Sequence, residues 1–314
     1  MAPEPQTGGA RQVSYPRGGK ITVVGIFDRY VTVDWSGANT PRAGKNSIWI
    51  CSLAAKGGCW TRNPRTRCTA GEMLRDLLAR SVGQRERVLI GFDFPFGYPA
   101  GFAAALGLQG EPWRAIWQLL AAEIIDNPQT NETNRFEVAN DLNRRLTGAA
   151  AFWGRPQKRL LDHLPRTRDV TYQAAGTAAG LPEWRVVEQL LRRQGRRPHS
   201  AWKLLGSGSV GGQALTGIPA VAALRADPAL ADVSRVWPFE LPAESPAGEP
   251  AIIHAEVWPS LYDFSAASGS CADEKQVRNL AGQLRRLDRG GALADMMRHA
   301  PRRSQEEGWI LGVG

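Results

Sequence analysis

Several things this chain lacks narrow the reading at the outset. No apolar stretch approaches the roughly 20 residues that a membrane-spanning helix needs, and Met1 to Lys20, rich in Pro, Gly and Gln, has no apolar signal-peptide core. That segment reads as a disordered lead-in, and the protein as soluble, cytoplasmic and without a membrane partner. Cysteine is scarce: Cys51, Cys59, Cys68 and Cys271 have irregular spacings that match no zinc motif. A disulfide framework is not expected in a chain of this size and compartment. The histidines (His163, His199, His254 and His299) are too scattered for a histidine metal site, and no G-x-S-x-G elbow marks a serine hydrolase. Lysine is also sparse, so the formal net charge of +9 rests almost wholly on arginine. A basic surface favours phosphate-bearing partners. GC-rich codon usage, which raises Arg, Ala, Gly and Pro together, accounts for the same composition, so charge alone decides nothing.

What is present is ordinary for a folded protein: 314 residues, 43% apolar and 22% charged, enough for one large domain or two small ones. Ile21–Phe27, Tyr30–Asp34, Ser47–Leu53 and Cys59–Arg62 read as strands, with Gly57-Gly58 as a turn, and form an antiparallel meander. Thr69 can cap a helix over Ala70–Arg80, with Glu72 three residues on. The apolar strand Arg87–Phe92 follows, and a helix before a strand suits a crossover that lays it parallel to the first. From about 101 to 199 the pattern turns helical, over Trp113–Ile125, Asn134–Leu146 and Pro182–Gln194, as in an inserted subdomain. A helix over Ile218–Arg225, a strand over Ile252–Val257, a helix over Gln276–Met297 interrupted at Gly290-Gly291, and a last segment Gln305–Val313 complete the chain. The order implies one α/β domain from 21 to 314: a ribonuclease H-like mixed sheet flanked by helices, with a helical insertion.

Asp34 and Asp93 each end a β-rich run, and ligands of open α/β sheets gather outside such ends. If the strands are neighbours, two repelling carboxylates share one crevice. Mg²⁺ or Mn²⁺, which prefer hard oxygen ligands, would resolve that repulsion. A turn or helix cap is the alternative for either residue alone. Glu256 stands before Pro259 near a strand end, on the side of His254. It is taken with Asp34 and Asp93 as a third metal ligand. Glu306 and Glu307 precede a final segment, and Glu307 is taken as a fourth catalytic acid; macrodipole-favoured helix charges would look the same. Gly206-Ser207-Gly208-Ser209-Val210-Gly211 formally matches the dinucleotide fingerprint but follows no convincing strand, and no acidic residue sits about 20 residues on in a second strand. With Lys203 beside it, this turn is a candidate phosphate cradle through Ser207 and Ser209. Arg135 could hold another phosphate or pair within its helix. Phe152-Trp153-Gly154-Arg155-Pro156 and the Arg192, Arg193, Arg196 and Arg197 run fit strand binding or plain packing and solvation.

The runs Val33-Asp34-Trp35-Ser36-Gly37-Ala38, Gly91-Phe92-Asp93-Phe94-Pro95-Phe96-Gly97-Tyr98-Pro99 and Ala255-Glu256-Val257-Trp258-Pro259, with Gly208–Pro219 carrying Gln213 between the last two, resemble the predicted ribonuclease H-like nuclease family. The resemblance spans most of the chain in the family's order. It implies a ribonuclease H-like fold, carboxylate-held metal, Gln213 at the substrate, and a closing acid-bearing helix, for which Glu306 and Glu307 are the acids taken. The expectation is a metal-dependent phosphodiester hydrolase acting on nucleic acid or a nucleotide. A phosphotransferase or small-molecule enzyme on the related actin-like scaffold, or a non-catalytic binding protein of this fold, are the alternatives.

Overall fold

The structure is a computed structural model and describes residues 25–146, 151–168, 180–240, 249–301 and 304–314. The expected lead-in at 1–20 lies outside these, as do residues 21–24 of the first expected strand, and residues 25–27 are irregular. In chain order the elements are β1 (Arg29–Asp34), β2 (Trp49–Ala54), β3 (Cys59–Arg62), α1 (Arg67–Gly83), β4 (Arg87–Phe92), α2 (Phe102–Ala105), α3 (Pro112–Glu123), α4 (Arg135–Arg145) and α5 (Val186–Arg193). Then follow α6 (Val210–Ala226), β5 (Ser234–Trp237), β6 (Ala251–Glu256), α7 (Ala272–Arg289), α8 (Ala292–Arg298) and α9 (Ser304–Glu307). No helix among the described residues is long and apolar enough to cross a membrane.

The six strands form one mixed sheet in the order β3-β2-β1-β4-β6-β5. β3, β2 and β1 pair antiparallel; β1, β4, β6 and β5 run parallel. The central strands are buried on both faces, which explains their continuous apolar runs: Val88 to Phe92 of β4 are all buried, with no alternation to solvent. One face places Val31, Val33, Val88, Ile90, Phe92 and Ile252 against α1 and α6, and the same core takes in Trp113, Trp117 and Leu120 of α3 and Phe136 and Leu142 of α4. The segment expected as an insertion therefore shares the sheet's own core. On the other face Tyr30, Leu89, Ile253 and Ala255 meet Leu280 and Leu284 of α7, Leu293 and Met297 of α8, and Val187 and Leu191 of α5.

Several elements differ from the sequence expectation: α1 starts at Arg67 with Thr66 as its cap, not at Ala70 after Thr69. α6 begins at Val210 rather than Ile218, although Gly211, Gly212, Gly217 and Pro219 all weaken an isolated helix. Packing overrides propensity: a Cβ on Gly217 would fall 2.3 Å from the Phe94 ring, so glycine is what lets this helix lie so close to the sheet. β5 has no counterpart in the sequence expectation. α7 runs back along β1. Thr32 Oγ1 donates to the Val277 carbonyl at 2.7 Å, and Asp288 near the helix end accepts from Tyr30 Oη at 2.5 Å and from the Ile26 and Phe27 amides at 2.9 Å. The first turn of α7 is thereby set at the carboxyl end of β1.

Candidate active site at the carboxyl edge of the sheet

Val33 of β1 lies in register with Phe92 of β4, so the next residues, Asp34 and Asp93, fall side by side on the face covered by α7. The Asp93 amide continues the ladder by donating to the Val33 carbonyl at 3.2 Å. Asp93 Oδ1 accepts the Trp35 amide at 2.7 Å, which fixes its carboxyl toward β1. Both side chains are half-buried. Asp34 is pushed well above the usual carboxylate range by burial first, then by the Asp93 and Asp273 charges and a hydrogen bond to Asp93. Burial raises Asp93 to about 7, against the amide and Asp34 hydrogen bonds that hold it down, with Asp273 adding to the rise. Two bare carboxylates side by side are disfavoured here near neutral pH.

Asp273 is the third acid, and sequence reasoning missed it by starting the closing amphipathic helix at Gln276. α7 begins at Ala272, so Asp273 occupies its first turn, where the helix dipole favours a carboxylate. Its Oδ2 accepts the Asn46 amide at 2.6 Å. The available signal was Asp273-Glu274 immediately ahead of a strongly amphipathic run. Among the described residues no group of three or more His, Cys, Asp or Glu side chains is arranged to hold a metal ion, so Asp273 acts on the pair through charge.

The loop after Asp34 is clamped from the other side. Arg67, fully committed at the start of α1, donates to the Ser36 and Ala38 carbonyls at 3.0 and 2.6 Å while paired with Asp126 at 2.5 Å. Asn131 Nδ2 donates to the Ala38 carbonyl at 2.9 Å, and Gln213 Nε2 to the Trp35 carbonyl at 2.5 Å. From this loop an open groove of about 490 Å³ runs between α1 and α6, walled by Trp35, Ile124, Pro128, Pro219 and Leu224.

Glu256 and Glu307 do not join the pair, which corrects the expectation that both face the same crevice. Glu256 is level with Phe92, one residue before Asp93, and so points to the opposite face of the sheet. Both its oxygens are taken by the fully buried Arg185, through Nη1 at 2.7 Å and Nη2 at 2.6 Å, and Oε2 also accepts the Phe96 amide at 2.9 Å. Glu307 Oε1 accepts the Ala100 amide at 2.8 Å and Oε2 the Val186 amide at 2.6 Å; Glu306 accepts the Gly101 amide at 2.7 Å. Glu188 completes the cluster against Arg185 at 2.9 Å. These acids tie the loop after Asp93 to α5 and α9. Neither oxygen of Glu256 is left for a metal. Only the Arg185/Glu188 spacing hinted at this arrangement.

The five expected substrate-binding residues, in contrast, gather around the first turn of α6. The Lys203 carbonyl accepts the Gly211 amide at 3.0 Å, and Lys203 Nζ donates to the Ser207 carbonyl. Ser209 holds the cap position, Gln213 reaches back to Trp35, and the Arg135 side chain lies against Gly212. α6 and α7 both start at the edge where Asp34 and Asp93 end. Comparison with protein-family models, with curated proteins and with solved structures finds no match in any of the three.

Proposed function

We propose that this protein is a metal-dependent phosphodiester hydrolase built on a ribonuclease H-like sheet, acting on nucleic acid or a nucleotide. The observation that carries the reading is the Asp34–Asp93 pair, adjacent in register at the ends of parallel strands, where burial and mutual charge disfavour two bare carboxylates. The antiparallel β3-β2-β1 half continuing into parallel β4 and β6 is the arrangement that the resemblance to the predicted ribonuclease H-like nuclease family implies, with β5 as an added edge strand.

The residues fit Mg²⁺ or Mn²⁺. Asp34 and Asp93 offer hard oxygens, and Mg²⁺ is commonly held by one or two carboxylates together with substrate phosphate oxygens rather than by a full protein cage. Such an ion, when bound, would polarise the phosphoryl group and lower the pKa of a water. In this reading Asp34 and Asp93 hold the ion, and Asp273 deepens the negative potential that attracts it. The Trp35 amide and the Arg67 and Asn131 clamps keep both carboxyls in place before substrate arrives.

The test combines thermal shift with cleavage. Mg²⁺ or Mn²⁺ should stabilise the wild type and not D34N/D93N, and a panel of DNA, RNA and nucleotides should be cleaved only by the wild type with metal. A wild type indifferent to both metals would sink the proposal. Transfer of a phosphoryl group without hydrolysis would redirect it to the actin-like alternative.

A further inference from the structure

α6 opens with no side-chain cap, since the Ser209 hydroxyl accepts none of its amides. The Lys203 carbonyl meets the Gly211 amide at 3.0 Å, and among the described residues no group outside the helix caps the Gly212 amide. Against that turn lies Arg135, only 6% exposed. Its Nη1 donates to neutral oxygens alone, Thr133 Oγ1 at 3.0 Å and Asn39 Oδ1, and its guanidinium lies 4.4 Å from the centre of the Phe136 ring. Its Nε is buried with no hydrogen-bond partner among the described residues, and lies 3.3 Å from where a Cβ on Gly212 would stand. The neighbouring carboxylates make their ion pairs elsewhere, Asp126 with Arg67 and Glu132 and Glu137 with Arg159, although the Asp126 and Glu137 charges still act on Arg135 from a distance. Among the described residues Arg135 has no ion pair. Burial, with the Arg67 and Arg159 charges, lowers its pKa only to about 10, so it stays a cation at neutral pH.

A buried guanidinium without a counter-ion is disfavoured unless an anion completes it. Here its unused donor lies against the first turn of a helix that no side chain caps, the other half of an anion site. The turn leading in reinforces this: Gly206 and Gly208 adopt positive φ of 94° and 71°, and Lys203 and His199 flank them with no acid between. Asn39, which Arg135 holds, lies five residues after Asp34 on the clamped loop. We propose that Arg135 and the first turn of α6 form a phosphate-binding subsite, at the same edge as the Asp34–Asp93 pair, that holds a substrate phosphate through the Arg135 Nε–H and the helix amides. The assignment to substrate rests on the hydrolase reading; the anion site itself does not.

The test uses the full chain in EDTA with inorganic phosphate as probe and chloride at matched ionic strength as control. Phosphate should raise the melting temperature where chloride does not, and should shift the Arg135 Nε–H resonance in an arginine side-chain NMR spectrum. R135Q should weaken phosphate binding about 10- to 100-fold, the usual weight of charged hydrogen bonds, with R135K intermediate. D34N/D93N should bind phosphate as tightly as the wild type. Equal stabilisation by chloride, or R135Q binding phosphate like the wild type, would overturn the subsite. Should R135Q fail to fold, a wild-type spectrum in which phosphate moves no arginine Nε–H would do the same. Arginine-dependent phosphate binding in a protein that ignores metal and cleaves nothing would keep the subsite and remove the hydrolase.

Discussion

Replacing Asp93 with asparagine should make the metal-free protein more stable at alkaline pH, an unusual outcome for a buried polar position. The amide side chain of D93N keeps an oxygen for the Trp35 amide, which Asp93 Oδ1 now accepts at 2.7 Å, and its NH₂ can donate to Asp34. In the wild type, burial raises Asp93 from 3.8 to about 7. The folded chain therefore binds more protons than the unfolded chain between about pH 4 and pH 7, and wild-type stability falls as pH rises through that window. The gap, at about 1.4 kcal/mol per pH unit, sets a ceiling of about 4 kcal/mol by pH 8. The part that develops between pH 5 and pH 8 is at most about 3 kcal/mol, reduced by whatever proton sharing with Asp34 and solvent at the half-exposed edge take up. Urea unfolding in EDTA at pH 5, 6, 7 and 8, followed by tryptophan fluorescence, measures the difference between D93N and wild type directly. That difference should grow with pH. A flat difference, or D93N losing ground as pH rises, would refute the argument that the two carboxyls compete for charge.

Three further outcomes follow from the same geometry. D273N should lower the pH at which the fall in wild-type stability levels off and shrink the total loss, because Asp273 raises both carboxyls of the pair in the folded chain; an unmoved profile in the same urea series would remove Asp273 from the site. Arg185→Met should cost about 3–5 kcal/mol, since it leaves Glu188 and Glu256 buried without their cation, yet any Mn²⁺-induced rise in melting temperature should persist. Loss of the metal response in well-folded R185M would return Glu256 to the metal site. Gly217→Ala should cost about 1–3 kcal/mol by forcing the buried Phe94 ring away from α6; a neutral substitution in thermal melts would show that α6 can move off the sheet.

Local pattern determined much of this protein. The apolar runs of β1 and β4, the meander, the crossover helix and the break at Gly290-Gly291 follow from periodicity and turn chemistry, which act within a few residues. The same patterns placed Asp34 and Asp93 at strand ends and picked out the Gly-rich turn beside Lys203. Tertiary structure alone decided which acids share a space. Strand register fixes the side of every carboxylate, and one residue of offset sends Glu256 to the opposite face from Asp93, where Arg185, far away in the chain, claims it. Packing also decided where α6 and α7 begin, because glycines that weaken an isolated helix are what allow α6 to lie against Phe94, and the true start of α7 delivers Asp273 to the pair. A missing counter-ion, such as that of Arg135, is legible only once every neighbour's partner is known. Sequence carries the local preferences; the pairing of charges is a property of the assembled fold.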